Sequence, residues 1–317
     1  MKTALFDLFG LPVTSYALLL VLFFLTGTAA LVFLLRHQKL RGALAYAGIA
    51  AVLALALGRG IYCAIHASSI FYDPMGRSLG LAPLFDLRLG SFSGMGVVLG
   101  CLAAGFITAW LMHISTAQLL DSLSIPLIAC FAAARFIEPL SGQGFGPAVS
   151  SPLLTWAPLS IQNGWGGWAV SVCFLEGLLL LAIALVLLRL PLHKAGSRML
   201  LALLLVSASQ LIPESLRRDD ALKIFTFARV NQIGFAALFF AGCVWCWRRS
   251  AAGCRKGIAL EVTAVLVGIV LLIACEFALD KTSWPDGLIY LGMAILLLGM
   301  LWPVLHRTLC SDKQSAN

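Results

Sequence analysis

Long apolar stretches separated by short polar segments recur along the whole chain. Such a stretch can cross a bilayer as a helix when it contains about 20 mostly apolar residues. The first one exceeds the core of a signal peptide, which has roughly 7–15 apolar residues, so we expect it to remain in the mature protein. Nine stretches have this length or nearly so, at about 14–35, 42–66, 93–113, 121–138, 168–188, 199–216, 231–247, 260–279 and 286–305. The pattern predicts an all-α, polytopic integral membrane protein with about nine transmembrane helices.

The composition excludes several classes of protein. Hydrophobic residues make up 61% of the chain and charged residues 11%, whereas an ordinary soluble domain is about one-quarter charged. These values exclude a soluble enzyme, a disordered chain and a secreted disulfide scaffold. The net charge of +8 fits the Lys/Arg bias of cytoplasmic loops, and no basic run is interleaved with aromatic residues as nucleic-acid binding requires. The nine cysteines form no metal-binding pattern, because Cys243 and Cys246 have no second pair or nearby histidine.

The basic residues predict the orientation of the spans. Twelve of the 22 Lys and Arg residues fall after the first, fifth and seventh spans or in the C-terminal tail. The positive-inside rule then places the N-terminus outside and the C-terminus in the cytoplasm. Two outer loops are long, at 67–92 and 139–167, and the second contains four prolines and six glycines. Because such a segment cannot be a regular helix, it either dips into the interface and lines a cavity or is a flexible loop.

Polar residues of the predicted spans gather at one level, just below the outer surface. Ionisable groups inside a membrane are costly and by default face the interior of the bundle or an aqueous cavity. The spacing of Gln210, Glu214 and Arg217 at i, i+4 and i+7 puts them on one helix face. The whole set consists of Tyr16, Arg59, Tyr62, Ser91, Ser93, Gly94, Arg135, Glu138, Glu176, Gln210, Glu214, Arg217, Asn231 and Gln232.

Three spans contribute an arginine to this level, namely Arg59, Arg135 and Arg217. A guanidinium group is always charged and binds phosphate oxygens through a planar fork. Two or three such groups at the depth of the lipid headgroups would form a clamp for a phosphate. The alternative is that the arginines form interhelical salt bridges, such as Arg59 with Glu176. We expect Glu276, on the outer side of the eighth span, to be a lone structural group.

Several short motifs follow one another in an order that resembles a known family. They are Tyr16, LGRGIY at 57–62, GSFSGMGVVLG at 90–100, DSLSIPLIACFAAARFIEPLSGQGFG at 121–146, LEG at 175–177, SQLIPESLRRDD at 209–220 and NQ at 231–232. Together they resemble the prolipoprotein diacylglyceryl transferases. The resemblance implies a transferase-like membrane domain of seven helices at residues 1–250. The last two spans fall outside it, which predicts an extra two-helix hairpin and a cytoplasmic tail at 251–317.

The resemblance implies a multi-pass enzyme of the bacterial cytoplasmic (inner) membrane whose site faces the outer side. Its members move a diacylglyceryl group from phosphatidylglycerol to the lipobox cysteine of a secreted lipoprotein precursor. The implied partners are phosphatidylglycerol, or another anionic phospholipid, and a prolipoprotein signal peptide that enters sideways from the bilayer. The resemblance implies no metal and no organic cofactor.

The resemblance also implies roles for individual residues. Arg135 falls on the essential arginine of the family and, with Glu138 and Arg217, forms the predicted catalytic set. Arg135 would hold the lipid phosphate, assisted by Arg217 or Arg59, and Glu214 would orient Arg217. Glu138 is either the base for the substrate thiol or the ion-pair partner of Arg135. The predicted substrate-binding set consists of Tyr16, Arg59, Ser93, Gly142, Gly146, Gln210, Glu214 and Gln232.

The chain departs from the family pattern at four positions. Ser93 stands where the family has a histidine, and Glu138 stands where it has an asparagine. Gln210 replaces a second catalytic arginine, and Pro147 replaces an arginine at the end of the signature segment. The alternative function is therefore a non-enzymatic or altered-specificity membrane protein that binds or moves an anionic phospholipid in an outer cavity. A structural subunit of another membrane complex is a third hypothesis, and it predicts no lipid turnover.

Overall fold

The computed structural model of the chain describes residues 4–8, 11–35, 40–72, 75–86, 92–162, 166–218, 223–224, 228–250 and 257–314. These residues are predominantly helical. In chain order the helices are α1 (Ser15–Leu35), α2 (Leu40–Ile65), α3 (Ala67–Ile70), α4 (Ala82–Phe85), α5 (Gly94–Leu111), α6 (Thr116–Ile137), α7 (Val172–Arg189), α8 (Ser197–Leu216), α9 (Val230–Arg249), α10 (Ile258–Lys281) and α11 (Asp286–Gln314).

The long helices coincide with the predicted spans. Within the described residues, eight helices are long and apolar enough to cross a membrane, namely α2 and α5 to α11. Helix α1 contributes a shorter apolar helical segment, Ser15–Gly27. The prediction of an all-α, polytopic membrane protein is therefore confirmed. The orientation of the two termini stays a prediction.

Short antiparallel strands, which were not predicted from the sequence, accompany the helices. They are β1 (Ala4–Leu8) with β2 (Leu11–Thr14), β3 (Phe145–Ala148), β4 (Ser160–Gln162) and β5 (Trp168–Ser171) in one sheet, and β6 (Lys223–Ile224) with β7 (Ala228–Arg229). β5 is the central strand of its sheet, because it pairs with both β3 and β4. The predicted outer loop 139–167 is therefore partly a sheet, and its last strand leads directly into α7.

Residues 1–122 form one of two compact units. In this unit α2 packs against α5. Gly100 permits the close approach, because a Cβ atom there would lie 2.7 Å from backbone atoms of Ala54. Small residues at a helix contact let the backbones of membrane helices come together in this way.

Residues 123–317 form the second unit. Among the membrane helices, α8 has the largest buried share, and it contacts α7, α9 and α11. A helix surrounded by other helices can carry polar side chains, because they pair with neighbouring residues rather than face lipid. This position explains how α8 accommodates Gln210 and Glu214, which are both fully buried. The predicted domains at 1–250 and 251–317 stay predictions.

Candidate functional site

Arg135, near the end of α6, contacts three carboxylates. Its Nη1 donates to Glu138 Oε2 at 2.8 Å, and its Nε lies 2.8 Å from Glu176 Oε2. Its Nη2 lies 3.2 Å from Glu214 Oε1 and 3.4 Å from Gln210 Oε1. These acceptors come from the turn after α6, from α7 and from α8. All three guanidinium nitrogens of Arg135 are therefore in contact with an acid or an amide.

Arg217 follows α8 directly and reaches two of the same acids. Its Nη2 donates to Glu138 Oε1, and its Nη1 lies 3.5 Å from Glu176 Oε2. Glu138 and Glu176 therefore each contact both arginines. The carbonyl oxygen of Arg217 accepts a hydrogen bond from Nη2 of Arg229, which fixes the main chain at this point.

We call Arg135, Glu138, Glu176, Gln210, Glu214 and Arg217 the acid–arginine network. Its members are all buried, and the most exposed of them has a relative exposure of 9%. Two guanidinium and three carboxylate groups sum to a formal charge of −1 when all are ionised. Taking charges out of water is costly and is compensated only by close pairing. The buried atoms without a hydrogen-bond partner among the described residues include Glu176 Oε1, Glu214 Oε2 and Gln210 Nε2.

Two further residues support the network. Cζ of Arg135 lies 5.0 Å from the centroid of the Phe131 ring, within the range of about 6 Å for a cation–π interaction. Asn231 Nδ2 donates to Glu214 Oε1 at 3.2 Å. Because Asn231 lies in the first turn of α9, the network connects α6, α7, α8 and α9.

The glycine-rich segment 142–146 packs tightly against the start of α7. Gly144 has φ +86°, a conformation that favours glycine. A Cβ atom on Gly144 would lie 2.6 Å from Cβ of Cys173 and 3.5 Å from Cγ of Glu138. The carbonyl oxygen of Gly144 accepts a hydrogen bond from the Cys173 N–H at 3.0 Å. A side chain at this position would therefore displace the beginning of α7.

The same segment is also fixed to the chain after α8. The N–H of Arg218 donates to the carbonyl oxygen of Phe145 at 2.9 Å. Gly142, with φ +73°, ends the short 3-10 turn that begins at Glu138. A Cβ atom on Gly146 would lie 2.7 Å from the side chain of Val172. The proposed contact of Gly142 and Gly146 with a substrate stays a prediction.

A family model described as prolipoprotein diacylglyceryl transferase (LGT) matches residues 3–248 of the chain. The chain belongs to this family. The match covers every member of the acid–arginine network, whereas α10 and α11 lie beyond it. No curated protein matches the chain significantly. Among the described residues, no group of His, Cys, Asp and Glu side chains is arranged to hold a metal ion.

Five of the predicted site residues of this diacylglyceryl transferase family member lie in the network, namely Arg135, Glu138, Gln210, Glu214 and Arg217. The sequence left two interpretations of the arginines open, a phosphate clamp and interhelical salt bridges. The structure contains the salt bridges, because both arginines contact carboxylates of other helices or turns. The roles of the five residues toward a substrate stay predictions.

Three other predicted residues lie in the unit of residues 1–122. Arg59 Nη2 donates to the carbonyl oxygen of Pro83 at 2.7 Å. Ser93 precedes α5, and its Oγ accepts a hydrogen bond from the Gly96 N–H at 3.3 Å. Tyr16 lies in the first turn of α1. Their part in substrate binding stays a prediction.

Sequence reasoning left Glu176 and Asn231 out of the site, although both belong to the outer polar level. It also described Glu276 as a lone structural group, and this description was wrong. Glu276 accepts hydrogen bonds from Gln232 Nε2 and, at 3.1 Å, from Ser215 Oγ. The signal was present in the sequence, because an acid inside an apolar helix requires polar partners.

Proposed function

We propose that the protein transfers the diacylglyceryl group of phosphatidylglycerol to the lipobox cysteine of a prolipoprotein and releases glycerol phosphate. Family membership over residues 3–248 supports a diacylglyceryl transferase. One observation supports the proposal for this chain above all. Arg135 and Arg217 both contact the carboxylates of Glu138 and Glu176. Two buried guanidinium groups from separate elements are what a leaving phosphate requires.

In the proposed reaction, the thiol sulfur bonds to the glycerol carbon of the lipid, and the bond from that carbon to the phosphate oxygen breaks. The electrons of the broken bond remain on the phosphate oxygen, so glycerol phosphate leaves with one additional negative charge. The thiol proton passes to Glu138, and the formal charge of the network rises from −1 to zero. Holding both substrates in line can supply about 7–11 kcal/mol of the barrier.

Glu138 connects the proton transfer from the thiol with the stabilisation of the leaving phosphate. As a carboxylate it pairs with Arg135 and Arg217. Once protonated, it is neutral and binds both guanidinium groups less strongly, because the Coulomb attraction between opposite charges is lost. The arginines then pair with the new charge on the departing phosphate.

The remaining predicted residues are assigned to substrate binding in this proposal. They would position the lipid headgroup and the signal peptide, which reaches the site from the bilayer of a bacterial inner membrane. The set is Tyr16, Arg59, Ser93, Gly142, Gly146, Gln210, Glu214 and Gln232.

A reconstituted assay tests the proposed function. Purified protein in vesicles that contain phosphatidylglycerol is given a lipobox peptide, and released glycerol phosphate and lipidated peptide are both measured. We expect the two products to appear in equal amounts. Arg189→Ala, which removes an exposed arginine at the end of α7, serves as the control and should match the unmodified protein. Vesicles that bind the protein but yield neither product would contradict the proposal.

Two observations favour a second candidate, a membrane protein that binds or moves an anionic phospholipid without transferring its diacylglyceryl group. All three nitrogens of the Arg135 guanidinium are already in contact with acid or amide groups. In addition, the network contains one acid more than it contains arginines. Both features weaken the stabilisation of the additional negative charge on a leaving phosphate, which the transfer requires and lipid binding does not.

Restoring two family residues separates the two candidates. Gln210 is fully buried beside Arg135, so Gln210→Arg adds a positive charge where the network has an excess of acid. For the transferase, we expect Gln210→Arg combined with Ser93→His to raise glycerol phosphate release by about tenfold, which corresponds to about 1.4 kcal/mol in the barrier. Gln210→Met, which keeps a side chain of similar size and adds no charge, should give no increase in glycerol phosphate release. A lipid-binding protein would release no glycerol phosphate with any of these variants.

A further inference from the structure

Glu276 lies on α10, outside the residues that match the family. Its two carboxylate oxygens accept hydrogen bonds from different helices. Oε1 accepts from Nε2 of Gln232 on α9, and Oε2 accepts from Oγ of Ser215 on α8 at 3.1 Å. One side chain from outside the family match therefore joins α8 to α9.

The two partners of Glu276 are immediate neighbours of residues in or on the acid–arginine network. Ser215 follows Glu214 in the sequence, and Gln232 follows Asn231, which donates to Glu214 Oε1 at 3.2 Å. Consecutive residues of an α-helix point about 100° apart. Both helices thus direct one residue to the network and the next to α10. If Glu276 moved, its partners Ser215 and Gln232 would move with it. Each of them is adjacent in sequence to a residue that belongs to the network or binds it.

Glu276 also determines how the amide of Gln232 is oriented. An ionised carboxylate only accepts hydrogen bonds, whereas a glutamine amide has a donor side and an acceptor side. Glu276 therefore binds the NH2 group of Gln232. The carbonyl oxygen of that amide lies on its other side, where it can accept a hydrogen bond from a hydroxyl or N–H group.

The pair of helices α10 and α11, here called the extra hairpin, has a second attachment far from Glu276. Near the end of α11, Asp312 accepts hydrogen bonds from the main-chain N–H groups of His193 at 3.0 Å and Lys194 at 2.8 Å. At 1.5 Å of rise per residue, Asp312 is about 40 Å along α11 from its start. Because this contact also fastens the hairpin, the effect of loosening the hairpin can be measured separately from the loss of Glu276.

We propose that Glu276 is a positioning residue of the transferase site, and that it makes the extra hairpin a part of that site. It acts by fixing the amide of Gln232 and by holding α8 and α9 together beside Glu214. The inference rests on the proposed function, which assigns Gln232 to substrate binding.

The test compares Glu276→Ala, Glu276→Gln, Gln232→Ala and the double variant Glu276→Ala/Gln232→Ala in the vesicle assay. We expect Glu276→Ala to lower kcat/KM for phosphatidylglycerol by about tenfold, the effect of losing one hydrogen bond to a charged group. The kcat/KM of Glu276→Gln should lie between those of the unmodified protein and Glu276→Ala. The amide oxygen can still accept a hydrogen bond from Ser215, but an amide does not determine the orientation of Gln232. The double variant should be no worse than Gln232→Ala, since Glu276 acts through that residue.

Asp312→Asn is the matched control, because it weakens an attachment of the hairpin that lies far from Glu276. It should lower the temperature of unfolding while leaving kcat/KM within about twofold of the unmodified protein. If Glu276→Ala and Asp312→Asn change kcat/KM equally, Glu276 only fastens the hairpin and the inference is overturned. The same conclusion follows if the effects of Glu276→Ala and Gln232→Ala multiply in the double variant.

The absence of turnover in the unmodified protein would overturn the proposed function, and the inference is then decided by lipid binding. The probe is phosphatidylglycerol, and its affinity for the detergent-purified protein is measured by native mass spectrometry. An affinity reduced by Glu276→Ala but retained by Asp312→Asn supports the positioning role at a binding site. Equal affinities of these two variants overturn it.

Discussion

Replacing Arg135 with lysine is expected to reduce glycerol phosphate release by about 100-fold or more, a loss typical of removing one preorganised donor. Arg135 contacts Glu138, Glu176 and Glu214 through three separate nitrogens. A lysine ammonium keeps the charge but has one nitrogen on a flexible stem, so it cannot reproduce a planar fork. The measurement is kcat for glycerol phosphate release in phosphatidylglycerol vesicles.

Lysine is the informative replacement, because alanine would remove the cation that three buried acids contact. Breaking a buried ion pair in this way costs about 3–5 kcal/mol, and a loss of activity would then reflect unfolding. We therefore expect Arg135→Lys, but not Arg135→Ala, to retain a cooperative thermal transition close to that of the unmodified protein. Arg189→Lys is the matched control. Activity of Arg135→Lys within threefold of the control, a ratio that corresponds to less than about 1 kcal/mol, would exclude Arg135 from the chemistry.

Replacing Glu138 with glutamine is expected to lower kcat by about 100-fold to 10,000-fold, the range for loss of a general base. Glutamine has nearly the same shape, but its amide cannot take a proton from the substrate thiol. It also presents an NH2 group to one of the two guanidinium groups that Glu138 now pairs with. The KM for phosphatidylglycerol should change much less than kcat, because the base acts only in the transition state.

Two further replacements at Glu138 distinguish a base from an ion-pair partner. Glu138→Asp keeps a carboxylate and should retain more activity than Glu138→Gln. Glu138→Asn introduces the residue that the family pattern has at this position, and it should be as inactive as Glu138→Gln if this chain uses Glu138 as its base. Full kcat in Glu138→Gln together with a lowered temperature of unfolding would show that Glu138 serves only to pair with the arginines.

The helices could be predicted from the sequence because the membrane imposes a length of apolar chain on each of them. The main deviation is the last helix, predicted at 286–305 but observed as Asp286–Gln314. Its additional residues are mostly polar, so a prediction based on apolar residues ends the helix too early. Four of them are nevertheless buried, namely Arg307, Thr308, Ser311 and Asp312. Arg307 pairs with Glu261 at 2.7 Å, and Asp312 binds main-chain N–H groups.

The shared level of the network residues could also be predicted, and so could the pairing of Arg135 with Glu138, but the partners on other helices could not. An ionisable residue near the end of an apolar stretch indicates its level in the membrane, whatever the arrangement of the helices. Pairing depends in addition on how each helix is rotated about its axis. The contact of Arg135 with Glu214, across 79 residues of sequence, has no local signal. The strands of residues 145–171 were missed for a similar reason, because each has only three or four residues.

The order of the charged residues along the chain has a consequence for biogenesis. Arg135 and Glu138 are three residues apart and pair with each other, so the ribosome delivers the first cation of the network to the bilayer with its own counterion. Glu176 and Glu214 emerge later, on α7 and α8, and each finds Arg135 already inserted. Because Glu138 already offsets Arg135, Glu176 and Glu214 bring the running formal charge to −2, and Arg217, three residues after Glu214, returns it to −1. The translocon therefore handles the network as two Arg–Glu pairs close in sequence and one additional acid, Glu176.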